Sequence, residues 1–487
     1  MAAATTMALC GALLLTGTAP AGASQPAAGA ASRMVLRTYT ISDPKLVDDP
    51  KRVADTLWRD GSLDRLGVAS AKAASQVQVD AEAQTDAAQG AEYTTDSDRY
   101  PHGRIPHDQY NYITTSQECA DHVAQSGQKA GWIKNRFAYC QRHLATAVAY
   151  DCVNGPCKVV GTFVSQNTIF GYGKRGGPSF PPNDRWAEFW LHVDSIDARG
   201  VFTEPGVRMR ASLWCGGKYI GRRPTDPGGI PFPDDVACQS TDSRTASLVG
   251  WRQNNAARMR VYSEANIPDR VNGEQLAVAV FQPRYSWQVP GSPQLQEGRG
   301  EDGGLRFDSA WYLQTGKQGS VFDRSRPGLI YRLGDKTDPA RDYRGVAEVA
   351  EHIDSARTHP ETTLPFAANK HLPGATRDDP LYRLAKAKGN YYRARYNANR
   401  SIVRSYCTSG AVPDFPKPGR ECDEYPFAST YEGAAQYLED NQPEYKNFYS
   451  VKSVSREDNN EAGARLGRWY DQNRILDHDR FFVRIDP

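Results

Sequence analysis

An α+β chain with a strand-rich middle is the fold class this sequence predicts, and three observations carry it. Short alternating or apolar runs recur at 158–164, 186–196, 207–215, 275–281 and 305–313, each bounded by Gly, Pro, Asn or Asp. Two stretches instead carry a helical period: Ile133, Phe137, Cys140 and Leu144 within 114–150, and Val346, Val349, Ala350 and Ile353 within 343–357. The length of 487 residues exceeds one ordinary core, and a prior of ~150 residues per domain gives two or three units. Closely spaced strands of this kind build an antiparallel sandwich or barrel. That β-rich domain is placed at residues 100–320, with the helical stretch as its N-terminal part. Trp186, Trp190, Trp214 and Trp251 are expected to fill its core rather than line a ligand groove.

The N-terminal end reads as export and processing. Residues 7–17 are apolar with three consecutive leucines, and Ala21-Gly22-Ala23 supplies small residues for cleavage, so 1–23 is expected to be a signal peptide although no Lys or Arg precedes the apolar run. Residues 24–99 are expected to be a flexible leader or propeptide, because 69–90 is rich in Ala, Gln and Asp and offers little apolar surface to bury. No other segment approaches the ~20 apolar residues of a membrane span. The expectation is a secreted, extracellular protein without a membrane anchor.

Cysteine usage agrees with export. Cys10 lies in the apolar run; Cys119, Cys140, Cys152, Cys157, Cys215, Cys238, Cys407 and Cys422 remain, an even set that favours disulfides in an exported chain. Sequence leaves the connectivity open; nearest-neighbour pairing would give four modest loops. Zinc is disfavoured because no Cys-x-x-Cys pair occurs. With 59 Lys+Arg against 57 Asp+Glu, the chain lacks the global charge signature of a nucleic-acid binder.

Residues 316–340 read as a polar connection, and 321–380 as a connecting segment with a helix on which His352 is expected to be a packing or surface residue. From 381 to 407 the chain carries Arg383, Lys386, Lys388, Arg393, Arg395, Arg400 and Arg404 with no acid, interleaved with Tyr382, Tyr391, Tyr392, Tyr396 and Tyr406. Basic and aromatic side chains together suit a phosphate backbone and exposed bases, although a solvated helix face gives the same pattern. Arg393, Arg395, Arg400 and Arg404 are the candidate DNA contacts.

The chemistry concentrates in Arg420-Glu421-Cys422-Asp423-Glu424-Tyr425-Pro426-Phe427-Ala428 and in Asp458-Asn459-Asn460-Glu461-Ala462-Gly463. Adjacent acids beside Pro fit a strand poorly, which places Asp423 and Glu424 at a strand end or bend. The Asn-Asn segment reads as a helix start, with Asp458 or Asn459 able to cap the free amides. Strand end, loop, second strand and polar helix start can converge carboxylates and an amide oxygen on one hard cation. Alone, the Asp-Glu pair reads as an ordinary solvated turn.

These runs, with the closing Ile475-Leu476-Asp477-x-Asp479-x-Phe481-Phe482-Val483, resemble the NucA/NucB-type secreted bacterial deoxyribonucleases. The resemblance covers only the C-terminal block. It implies a small ββα-metal nuclease domain, assigned to 381–487, in which an aspartate stands where a histidine base is more usual. Matched position by position, Asp423 takes the place of the base, Glu424 of its acidic neighbour, Asn459 of the metal-side asparagine and Glu432 of an acidic position beside a glycine. The implied cofactor is a divalent metal, Mg²⁺ or Mn²⁺, and the implied partner is DNA.

The expected function is therefore a secreted metal-dependent endodeoxyribonuclease that hydrolyses phosphodiester bonds of extracellular DNA with an Asp general base. Two other readings stand beside it: a surface- or glycan-binding module with an inactive nuclease-like tail, and a secreted nuclease toxin.

Overall fold

The computed structural model describes residues 34–68, 91–99, 111–152, 156–176, 185–220, 238–263, 274–292, 296–314, 316–333 and 346–487. The expected signal peptide and the 69–90 spacer lie outside the described residues. The chain is α+β and strand-rich. One sheet runs, in hydrogen-bonding order, through Met34–Ile41, Ala138–Asp151, Lys158–Tyr172, Trp186–Gly200, Ala256–Tyr262 and Gln239–Thr241, with Trp132–Asn135 beside Ala138–Asp151. A second runs Gln318–Val321, Gly303–Ala310, Glu274–Gln288, Arg208–Ile220 and Ser243–Ser247, with Gln296–Arg299 beside Glu274–Gln288. Alternate residues of both sheets point into one core, Tyr139, Phe163 and Phe189 from the first meeting Met209, Phe281 and Trp287 from the second. The Phe189 and Phe281 ring centroids lie 4.5 Å apart. Two curled antiparallel sheets around one core result, within the sandwich or barrel that the strand pattern indicated.

Four local readings are corrected. Within 114–150 helix is confined to Ser116–Asp121 and Val123–Ser126, and Ile133, Phe137, Cys140 and Leu144 belong to two strands and the turn between them. Ala138–Asp151 is buried on both faces until its last residue, so no alternation was there to contradict a chance helical period. The 24–99 leader contains folded elements: Met34–Ile41 pairs with Ala138–Asp151, and helices Pro44–Val47 and Pro50–Asp60 begin at the capping side chains of Asp43 and Asp49. Asp-Pro at each start, cap followed by N1 proline, was the signal that identifies them. The 316–340 connection contains two buried strands, Gln318–Val321 and Ser325–Arg332. Of the four tryptophans only Trp251 is fully buried. Trp186 lies under Lys174 and Arg260, Trp190 under Arg258 and Trp214 under Arg284, at cation-to-ring distances of 4.0–5.9 Å.

The C-terminal unit is built on a mixed sheet, Leu381–Tyr382, Arg480–Asp486, Ser325–Arg332 and Ala91–Asp96 in order. Ser325–Arg332 pairs in parallel with both Arg480–Asp486 and Ala91–Asp96. A separate ribbon pairs Arg420–Tyr425 with Ser450–Ser455, and helix Arg456–Gln472 follows directly, giving the ββα order. Leu329, Tyr331, Val349, Ile353, Tyr425, Val454, Leu466, Trp469 and Phe481 form the core that joins sheet, ribbon and helices.

Buried charge locks this unit to the sandwich. Arg474 reaches Asp308 at 2.9 Å through Nε, and Arg306 holds Asp479 at 2.8 Å and Asp308 at 3.1 Å. Arg136 donates to the Arg474 carbonyl at 2.8 Å and lies 3.2 Å from Asp479. Burial alone would push the Asp308 carboxyl up, but the Arg474 and Arg306 guanidiniums outweigh it and hold it below the usual carboxylate range. Lys388 joins Glu274 of the sandwich at 3.1 Å to Asp477 at 3.0 Å.

Four disulfides pair nearest neighbours: Cys119–Cys140, Cys152–Cys157, Cys215–Cys238 and Cys407–Cys422. The last ties the end of helix Asn390–Cys407 to the strand that carries Asp423. A loop of that length contributes about 3 kcal/mol in the chain-entropy account. Replacing Cys407 and Cys422 by Ala is expected to lower the thermal midpoint accordingly; an unchanged midpoint would show that this cross-link does not constrain the unfolded chain.

Candidate active site

Strand alternation sorts the ribbon's residues by face. Glu421, Asp423 and Tyr425 share one side, opposite Val454, Lys452 and Ser450 in register, and Tyr425 and Val454 fix that side against the core under helices Ala347–Thr358 and Arg456–Gln472. Asp423 is 5% exposed. Its Oδ2 lies 2.7 Å from His352 Nδ1, and His352 Nε2 lies 2.8 Å from Ser450 Oγ. An ionised carboxylate only accepts, so the Nδ1 hydrogen points at Asp423, and a neutral ring then accepts the Ser450 hydroxyl at Nε2. His352, read from sequence as a packing or surface residue, is thus a buried hydrogen-bond partner of the proposed base. Asp, His and Ser in a row invite comparison with a hydrolytic triad, but the Ser450 hydroxyl is fully buried and anchors the ring instead of facing a substrate.

Two residues along the strand, Glu421 accepts from the Asn459 amide at 3.0 Å and pairs with Arg456 at 3.2 Å. The helix is capped by Ser455, whose hydroxyl accepts from the Asp458 amide, so Asn459 lies inside the first turn and is not the cap. Asp458 reaches across to accept from the Glu348 amide at 2.8 Å, while Glu348 accepts from the Ser455 amide at 3.0 Å and pairs with Arg420 at 2.8 Å. Helix Ala347–Thr358 is thereby fastened over the ribbon at both Glu348 and His352. Among the described residues no group of three or more His, Cys, Asp or Glu side chains stands in metal-holding geometry. Glu421 and Asn459 nonetheless supply a carboxylate and an amide oxygen, the hard donors that Mg²⁺ or Mn²⁺ takes when water and substrate complete its shell. Turning the Asn459 amide would present its oxygen.

Glu424 lies on the ribbon's other face. Burial first, and then the neighbouring Asp423 charge, push its carboxyl up to about 7, and Arg400 opposes the rise. Glu432 accepts from the Tyr382 amide at 3.0 Å, and burial pushes its carboxyl up to about 7. No hydrogen bond or ion pair among the described residues joins Glu432 to Asn459.

Helix Asn390–Cys407 carries the basic run. Its buried side is Tyr392, Arg395, Asn399, Val403 and Cys407. Arg395 is 1% exposed, donates to Asp440 and the Tyr431 carbonyl at 2.7 Å each, and so serves as an internal pin rather than a DNA contact. Steps of three and four residues set Tyr392, Arg395 and Asn399 on one face of the helix. Arg393, Arg400 and Arg404 are exposed, and spacings of seven and four place them along one outer stripe. The Arg400 guanidinium is raised above its ordinary value first by the Glu424 charge, which sets this stripe beside the ribbon.

A buried carboxylate oriented by an imidazole, a carboxylate–amide pair one helical start away and an exposed arginine stripe together suit hydrolysis of an anionic polymer. A comparison with curated proteins returns no match. Residues 374–484 match the family model of deoxyribonuclease NucA/NucB, so the C-terminal region of this chain carries a nuclease domain of that type.

Proposed function

We propose that the protein is a secreted, metal-dependent endodeoxyribonuclease whose general base is Asp423. The observation that carries this reading is the pairing of Asp423 with His352 on the same ribbon face as the Glu421–Asn459 pair. Asp423 Oδ1 makes no hydrogen bond among the described residues, so with Oδ2 fixed by His352 one oxygen is left to take a proton from water. The water oxygen bonds to phosphorus as the phosphorus–ester oxygen bond breaks. Glu421 and Asn459 would hold a divalent ion, which when bound offsets charge on the phosphate oxygens. Burial pushes the carboxyls of Glu424, next to Asp423 in sequence, and of Glu432 up to about 7. The four disulfides suit an oxidising, extracellular setting, and no described helix is long and apolar enough to cross a membrane.

The test is nicking of supercoiled plasmid by the purified full chain with Mg²⁺ or Mn²⁺ and again with EDTA. Nicking that EDTA stops supports the reading; intact plasmid under both conditions overturns it.

The arginine stripe makes a separate expectation. Reversing Arg393, Arg400 and Arg404 to Glu should raise KM more than it lowers kcat, because phosphate contacts act in ground and transition states alike. The slope of log affinity against log salt should become shallower by roughly 0.9 per lost contact. Arg395→Ala should instead lower the melting temperature, since it strips Asp440 and the Tyr431 carbonyl of a buried donor. An unchanged salt slope in the triple variant would remove the stripe from the DNA path.

A further inference from the structure

We infer that Lys452 is a catalytic residue that binds the scissile phosphate, an inference that rests on the nuclease reading above. Lys452 lies directly across the ladder from Asp423, between Ser450 and Val454 on the same face. Side chains opposite one another in an antiparallel pair stand roughly 5 Å apart at Cβ, so a lysine side chain starts beside the proposed base. An acid and a base so placed ordinarily join, yet here they do not. Asp423 is turned inward to His352, and the partly buried Lys452 side chain makes no hydrogen bond or ion pair among the described residues.

Its neighbours show how unusual that is. Arg420 is held by Glu348, Arg456 by Glu421, and Arg465 by Glu461 at 2.8 Å and by Asp98. Each of those guanidiniums is paired with a carboxylate, while Lys452, across the ladder from Asp423, has no such partner among the described residues. A phosphodiester that reaches Asp423 Oδ1 on one strand would have Lys452 at the paired position of the other. The proton acceptor and the group that balances the growing negative charge on the non-bridging oxygens would then come from paired positions of one rigid ribbon.

The experiment compares the full chain with Lys452→Met, Lys452→Gln and Lys452→Arg. Cleavage is read as kcat and KM on supercoiled plasmid with Mn²⁺, and duplex binding as affinity against salt in EDTA. Expected is a loss of about 10²–10³ in kcat for Met and Gln, the size seen when one transition-state donor is removed, with most of the rate restored by Arg. The salt slope should also become shallower by roughly 0.9 in the neutral variants. Neutral variants that keep a native melt and cut within twofold of wild type would overturn the assignment, as would a loss that Arg fails to restore. If the wild type does not cut DNA, it is the nuclease reading that fails, and the EDTA titration still decides Lys452: an unchanged slope and affinity overturn it.

Discussion

Asp423→Asn should lose about 10²–10⁴ in cleavage rate, the usual contribution of a positioned general base, while keeping its fold. Asparagine is nearly isosteric and can still accept from His352 Nδ1, so the buried hydrogen bond seen at 2.7 Å survives and only basicity is removed. Asp423→Ala should be as inactive and also less stable, because it leaves the imidazole without its acceptor. His352→Asn, which can donate to the carboxylate, should retain more rate than His352→Ala if the ring orients the base. Near-wild-type cleavage by a folded Asp423→Asn protein would exclude Asp423 as the base and with it the match to the family's catalytic position.

The largest effect on stability is expected at Asp308. Its carboxylate is fully buried between Arg474 of the C-terminal unit and Arg306 of the sandwich. Asp308→Ala would leave two guanidiniums buried with less counter-charge, and breaking a buried pair in this way costs about 3–5 kcal/mol. Chemical denaturation should show that loss, and nuclease activity should disappear with the sandwich signal in one transition, because the network spans both units. A variant destabilised by less than about 1 kcal/mol, or one that loses only one unit, would show the two units to be energetically independent.

What the sequence disclosed followed from local patterns. The Cys-Asp-Glu-Tyr-Pro run and Asn459 are close enough in sequence for strand, strand and helix to be inferred, and the structure gives that order. Cysteine pairing by nearest neighbours matched because each loop closes within one unit. His352 was missed because nothing around it in sequence names Asp423, 71 residues away, as its partner. Lys452 needed the strand register to acquire meaning. Arg395 and Arg400 look alike in the sequence, and only the buried stripe of Tyr392, Arg395 and Asn399 separates a pin from a surface charge. Ala138–Asp151 misled because a strand buried on both faces has no alternation to read.

The mixed sheet under the ribbon has a consequence in time. Its adjoining strands come from near residues 91, 325 and 480, joined in parallel, so each contact must close a very long stretch of chain. Such pairings form late, since the entropy of closure is met before the contacts reward it. The segment recognised by family similarity begins at 374, yet it rests on two earlier strands and on the helix that carries His352. During synthesis the acidic ribbon can pair as soon as its own residues emerge, but the sheet beneath it is completed only when Arg480–Asp486 arrives. Completion of the site is therefore expected to wait on these long-range closures rather than on the nuclease segment's own short-range contacts.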